Sequence, residues 1–260
     1  MFPNVARIQP PKRTRIYFFS DVHLGLDTPE RERSKERMLL RFLDTIKRDA
    51  EQVFIAGDLF DFWFEYRSVI PSGHVRVLGK LAELTDAGVR ITFLAGNHDF
   101  WLKSFFPKQL GVEVSLEPIE RNLYGKRFFL HHGDGLLRND TGYRMLKSVL
   151  RNRVSIFLFS LVHPDITGMI ARWSSRTSRQ HTGKKTYEGN DMVDFARQKI
   201  REGFDVVVMG HNHQPHVERF QNGTYINLGD WIDEHTYAVF DGRRITLKTF
   251  RANEKRERRG

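Results

Sequence analysis

Short apolar runs alternate along the chain with stretches of helical spacing. Residues 16–19 form an apolar run that stops at Ser20, the pattern of a buried strand delivering polar residues to a sheet edge. Over 31–50 the apolar positions Met38, Leu39, Phe42, Leu43 and Ile46 recur every three or four residues, which predicts an amphipathic helix. Residues 52–56 read as a second strand, 75–87 as a helix stopped by Gly88, and 89–94 as a third strand. Strand, helix, strand, helix, strand predicts a mostly parallel sheet covered by helices.

The second half changes character. Residues 127–130 predict a strand, and 139–198 then carry helical periodicity with no clear strand. This stretch is expected to be a helical lid inserted between two strands of one α/β domain. Residues 205–209 resume the strand pattern. Residues 217–220, 224–227, 237–240 and 245–250 predict antiparallel strands, with turns at Asn222-Gly223 and Asp241-Gly242. No repeat of fixed period is visible.

Composition narrows the chemistry. The 260 residues suit one large domain, or one domain with an insertion. With no cysteine, a disulfide framework and a thiolate zinc site are excluded, so any metal must be held by imidazole, carboxylate or amide oxygen. The formal net charge of +10 favours an acidic partner: nucleic acid, a nucleotide-bearing substrate or an anionic membrane surface. Part of that excess sits in residues 251–260, five Lys or Arg against two Glu, which read as a disordered, solvated tail. Residues 1–13 lack the apolar segment of a signal peptide. The apolar run at 154–162 is far short of the roughly 20 residues that span a bilayer. The expectation is a soluble protein able to touch a membrane.

Five predicted strands end in short polar clusters: Asp21-Val22-His23; Gly57-Asp58; Gly96-Asn97-His98-Asp99; His132-Gly133-Asp134; and Gly210-His211-Asn212-His213. Ligands in open α/β sheets bind at the carboxyl ends of strands, so these clusters can converge. In an extended segment residues i and i+2 share a face, which would aim Asp21 with His23, and His211 with His213, into one site. Taken singly each cluster is weak, since a lone His is more often a packed core or surface residue. Together they supply carboxylates, imidazoles and an amide suited to divalent cations, with Asp58 able to bridge two ions. His131 should face away from His132 and is read as structural.

The same motifs, with Gly-Asp-x-x-Asp at 57–61, resemble the calcineurin-like metallophosphoesterases over about residues 15–250. The resemblance implies two β-sheets packed face to face and flanked by helices, with two divalent metals at one end. Manganese is the expected ion, with iron, magnesium or zinc as alternatives. It implies Asp21, His23, Asp58 and His213 on one metal, and Asp58, Asn97, His132 and His211 on the other. His98, oriented by Asp99, would act on the phosphate or the leaving group.

Residues 21–25, 57–63, 123–127, 132–134 and 140–143 further resemble the UDP-2,3-diacylglucosamine hydrolases of lipid A biosynthesis, which carry a helical lid. That likeness implies cleavage of a nucleotide-linked glycolipid to UMP and 2,3-diacylglucosamine 1-phosphate. It also implies a cytoplasmic enzyme, peripheral on the anionic inner membrane, with no nucleic acid partner. Asn97, Trp63, Tyr143, Arg176 and Arg179 are the expected substrate contacts. Within the stretch at 139–198, Val154, Ile156, Phe157, Leu158, Phe159, Leu161 and Val162 suit acyl chains, and Arg172, Arg176, Arg179, Lys184 and Lys185 suit a diphosphate or headgroup. The apolar run equally suits core packing of a helical hairpin. His98 stands where that group usually has Arg, so another phosphodiester, nucleotide or phosphomonoester stays open as substrate. A basic binding module rests on charge alone, since the aromatics do not interleave with basic residues as in RNA-binding motifs.

Overall fold

The computed structural model describes residues 13–136, 141–167 and 190–252. Their strands, in chain order, are β1 (Arg15–Phe19), β2 (Ala50–Ile55), β3 (Arg90–Leu94), β4 (Glu113–Ser115), β5 (Ile119–Leu123), β6 (Lys126–Leu130), β7 (Val206–Met209), β8 (His216–Phe220), β9 (Gly223–Asn227), β10 (Thr236–Phe240) and β11 (Ile245–Thr249). One sheet has the order β11-β10-β1-β2-β3-β4 and the other β5-β6-β7-β9-β8. Strands β1 to β4 pair in parallel, as do β6, β7 and β9, while β10, β11, β5 and β8 join antiparallel.

Alternation along each central strand sends side chains into two different cores. From β1, Ile16 and Phe18 enter the core shared by the sheets, while Tyr17 and Phe19 enter the core under the helices. Likewise Val206 and Val208 of β7 face the first sheet, and Val207 and Met209 face outward onto a helix. Strands buried on both faces therefore read as continuous apolar runs rather than as alternation. Between the sheets Phe18 stacks on Phe54 at 5.2 Å and on Phe128 at 5.7 Å, joining β1, β2 and β6.

Helix α1 (Pro29–Ile46) lays Leu39, Phe42, Leu43 and Ile46 on the first sheet, beside α2 (Val75–Asp86) and α3 (Phe105–Leu110). The helix expected over 31–50 stops four residues early, because buried Ala50 opens β2 and pairs with Arg15. Sheet pairing there overrides alanine's helix preference. The elements α3, β4 and β5 were not foreseen: β5, Ile-Glu-Arg-Asn-Leu, has apolar residues only at its ends.

Within the expected lid, α4 (Thr141–Arg151) and α5 (Arg153–Ser160) form a hairpin beside the loops that follow β2 and β3. Phe159 packs on Trp101 at 4.6 Å and on Phe64 at 5.0 Å, and Trp101 Nε1 donates to the Leu150 carbonyl at 3.1 Å. The next described helix, α6 (Asn190–Arg201), behaves differently. It lays Met192, Ala196 and Ile200 on Phe129, Val207, Met209 and Tyr225, so it covers the second sheet and belongs to the sandwich. The layers are thus helix, sheet, sheet, helix. Arg172, Lys184, Lys185 and the tail beyond 252 lie outside the described residues. No described helix is long and apolar enough to cross a membrane.

Phe18→Ala removes a fully buried ring from the middle of the inter-sheet stack. It is expected to lower the stability of the fold by about 3–5 kcal/mol, measured by denaturant unfolding of the purified chain.

Candidate metal centre

Strands β1, β2, β3, β6 and β7 each run directly into one of the five polar clusters, and all five clusters meet at one rim. The chain makes them meet through backbone rarely adopted by residues other than glycine. Asp21 (φ 54°), His23 (47°), Asp58 (53°), His211 (74°) and His213 (58°) all lie in the left-handed region. Each such residue costs roughly 1–3 kcal/mol unless its surroundings hold it, and such strain gathers at functional sites. Extended geometry is therefore not what aims the i, i+2 pairs; a left-handed turn at each member does. Main-chain bonds fix the turns: Asp21 N donates to Gly57 O at 3.1 Å and His23 N to Asp58 O at 3.0 Å. Gly96 is needed for space alone, since a Cβ there would overlap the Asp58 carboxylate and its main-chain nitrogen.

The side chains fall into connected groups. Asp21, His23 and His213 bring their ligand atoms within 4.8 Å of one another, and so do Asp58, His132 and His211. The groups touch where Asp58 Oδ2 lies 3.5 Å from His23 Nε2 and 3.3 Å from His132 Nε2. His132 Nδ1 donates to the Ala56 carbonyl at 2.9 Å, which leaves Nε2 facing Asp58 and the Asn97 Oδ1 at 3.0 Å. A nitrogen set between two oxygen acceptors needs either a proton or a cation. Both ring nitrogens of buried His23 lack a hydrogen-bond partner, although Asp61 Oδ1 is 3.4 Å from Nδ1 and Asp21 Oδ1 is 3.9 Å from Nε2. Such orphaned atoms ringed by carboxylates fit divalent metal binding.

Electrostatics without an ion point the same way. Burial alone would raise Asp58, but the imidazoles of His132, His98 and His23 outweigh it and hold its carboxyl well below the usual range. Burial opposes the charge on His132, yet Asp58 lifts it to about 10, while burial beside His132 pushes His211 down to about 3. The acids and imidazoles are thus mutually dependent. Compensating charge keeps Asp58 and His132 ionised in a dry rim, while burial pushes His23 and His211 toward the neutral form.

Two expectations are corrected. Asp99 does not orient His98. Its buried carboxylate accepts the main-chain N–H groups of Leu59 and Gly96 at 2.8 Å, and of Asp58 and Phe60 at 3.3 Å, clipping the loop after β2 to the loop after β3. Burial and the neighbouring Asp58 push Asp99 up to about 7. His98 is held by Asp61, donating from Nδ1 to its carbonyl at 3.0 Å with the carboxylate 3.6 Å away. Asp61, the last residue of Gly-Asp-x-x-Asp, thus takes the role expected of Asp99. Trp63 is not a surface for a substrate: it is fully buried among Phe60, Phe105 and Phe106, and its indole N–H turns toward Glu65.

His131 turns away from the rim, accepting Gly133 N at 2.8 Å at Nδ1 and packing against Phe195 of α6. Tyr143 is carried by α4, while Arg176 and Arg179 lie outside the described residues. Sequence reading missed Asp230, whose Oδ2 is 3.6 Å from His213 Nδ1; no motif marks it.

Residues 14–215 match the model of the calcineurin-like phosphoesterases. A UDP-2,3-diacylglucosamine hydrolase of Porphyromonas gingivalis is 36% identical over 256 residues, 91% of this chain and 98% of that protein. One from Ectopseudomonas mendocina is 32% identical, over 87% of this chain and 94% of its own length. Among solved structures, a phosphoesterase from E. coli is 17% identical with a TM-score of 0.45, covering 90% of this chain and 92% of that one.

Gly96→Ala drives a methyl group into Asp58. The variant is expected to bind Mn2+ far more weakly than the parent in titration calorimetry, whereas Gly79→Ala, in helix α2 with open space around it, leaves binding unaltered.

Proposed function

Because the chain belongs to the calcineurin-like phosphoesterase family, we propose that it is a two-metal hydrolase that cleaves the diphosphate of UDP-2,3-diacylglucosamine. The observation that carries this reading is the meeting of two His/Asp groups at Asp58, in a chain whose relatives of that name align along nearly their whole length. Asp21, His23, Asp58 and His213 would hold one ion, and Asp58, Asn97, His132 and His211 the other. Manganese is the proposed ion, since oxygen and imidazole ligands without thiolate suit it. When bound, two such ions supply positive charge to the phosphoryl oxygens and lower the pKa of a water.

The chain's own residues do the rest. Asp61 holds His98 with Nδ1 as donor, which leaves Nε2 to exchange a proton with the departing phosphate oxygen. Asp61 and Asp230 pair with the ring nitrogens of His23 and His213, fixing which nitrogen each presents. Next to Asp61 opens a cavity of about 600 Å³, lined by Leu24, Phe62, Tyr66, Ile70, Pro71 and Pro164 among others. A hydroxyl contact between Tyr66 and Thr167 links its two walls. Apolar lining beside a phosphate-handling centre supports an acyl-chain site.

The outer side of the α4–α5 hairpin supports a lipid substrate drawn from a bilayer. Met145, Val154, Phe157, Leu158 and Leu161 are each more than half exposed, an apolar patch that water does not favour. With exposed Arg153 at the junction of the two helices, the patch suits peripheral contact with an anionic membrane. A second reading, a phosphoesterase of nucleotides or simpler phosphate esters, is favoured by His98.

Purified chain with Mn2+ is expected to release UMP from UDP-2,3-diacylglucosamine in detergent. Full turnover of generic phosphate esters with none of that glycolipid would overturn the substrate assignment. His23→Ala and Asp58→Ala are each expected to abolish hydrolysis while the chain still melts cooperatively. Retained turnover in either would count against the metal assignment. Chelation should likewise stop the reaction, and added Mn2+ restore it.

A further inference from the structure

Helix α1 faces the sheet through Lys35, Leu39, Phe42, Leu43 and Ile46. Four of these are ordinary core residues. The fifth is a lysine, with a side chain only 4% exposed, at the end of the stripe nearest the metal centre. Lysine is almost never so buried unless its ammonium is paired.

The partners of Lys35 are specific. Its Nζ donates to the main-chain carbonyl of His23 at 2.7 Å and lies 2.9 Å from Glu32 Oε1 and 3.3 Å from Asp27 Oδ2. The same Glu32 carboxylate accepts Gly25 N at 2.9 Å and Asp27 N at 2.8 Å. One ammonium and one carboxylate from α1 thus grip residues 23–27 at three main-chain points. Two acids neutralise the ammonium, so it adds no net positive charge beside a cation site.

His23 is where that grip matters. It stands in the left-handed region, and the acids nearest its ring, Asp61 Oδ1 at 3.4 Å and Asp58 Oδ2 at 3.5 Å, orient the imidazole without fixing its backbone. Its placement therefore depends on the peptides on either side. The preceding peptide is fixed by its own N–H to Asp58 O at 3.0 Å. The following one is fixed by Leu24 N to Leu59 O at 3.0 Å and by the His23 carbonyl, which takes its shorter bond from Lys35 at 2.7 Å and a longer one from Leu26 N at 3.3 Å. Losing the shorter of the two bonds to that carbonyl loosens the turn and lets the imidazole shift relative to Asp21 and His213. Asp58, His132 and His211 follow other strands, and none of them takes its backbone position from Lys35.

We propose that Lys35 is the positioning residue for His23, and that it sets the strength of the metal position formed with Asp21 and His213 while leaving the other position unchanged. The inference rests on the two-metal reading above. Lys35 touches neither ion nor substrate; it acts through the main chain of a ligand.

Lys35→Met keeps the length and bulk of the side chain and removes the ammonium. Titration calorimetry with Mn2+, and metal analysis after desalting, are the measurements. The parent chain is expected to take up two ions. Lys35→Met is expected to keep one at parental affinity and hold the other about 10–100-fold more weakly. Hydrolysis should recover at saturating Mn2+, and Lys35→Arg, which keeps the charge and a donor, should regain part of the lost affinity. Where Met at 35 prevents cooperative melting, Lys35→Gln is neutral, one atom shorter, and read in the same way. Two ions of unaltered affinity in a folded neutral variant, or equal weakening of both, would overturn the inference alone. A parent chain that takes up no second ion would overturn the two-metal reading and this inference with it.

Discussion

The constraint on which the rest depends is the burial of several acids and imidazoles where the two sheets end. Asp21, His23, Asp58 and His132 are each almost fully removed from water. A lone carboxylate there would take up a proton and a lone imidazole would lose one. Asp58 and His132 stay charged because each offsets the other's burial, so neither is stable there without its partner. Asp58 is central for a topological reason. Strand β2 lies between β1 and β3, so the residue after it reaches the clusters of both neighbours, and the second sheet brings His132 against it from the opposite side.

The sandwich works as a jig for this assembly. Phe18, Phe54 and Phe128 lock β1, β2 and β6 together only a few residues before those strands release Asp21, Asp58 and His132. Packing energy in the inter-sheet core therefore carries the cost of strained turns at the rim. This explains why left-handed backbone at five ligand candidates persists without proline or disulfide to enforce it. Glycine assists by absence of volume: Gly57 and Gly96 lie so close that a side chain on either would displace His132 or Asp58.

Much of this was legible in the residues. Apolar runs predicted the central strands, because burial on both faces demands continuous hydrophobes, and polar clusters at their ends marked the rim. What escaped the sequence is whatever depends on partners distant in the chain. Asp99 and Asp61 are both acids in the same motifs, and nothing local tells which meets an imidazole. The structure gives His98 to Asp61 because Asp99 is consumed by four main-chain donors. Trp63 looked available for the same reason: its burial depends on Phe105 and Phe106, in a short helix that the pattern did not announce. Periodicity likewise joined α6 to the helices before it, although its apolar face serves a sheet and theirs does not.

That last difference bears on function. A helix of the sandwich hides its apolar stripe, as α6 hides Met192, Ala196 and Ile200. Helices α4 and α5 divide theirs instead. Phe159 turns inward to Trp101 and Phe64, while Phe157 and Leu158 turn outward into solvent. Core packing of a hairpin accounts for the inward set alone. The outward set costs free energy in water, which supports the proposed contact with an apolar surface. Because the hairpin also reaches the metal rim through Lys147, paired with Asp134 at 2.6 Å, whatever engages the outer surface acts on an element tied to the site. On the proposed function, a substrate with two acyl chains and a diphosphate would meet both faces of this hairpin in turn: the outer one at a membrane surface, and the inner one beside Asp58 and its neighbours.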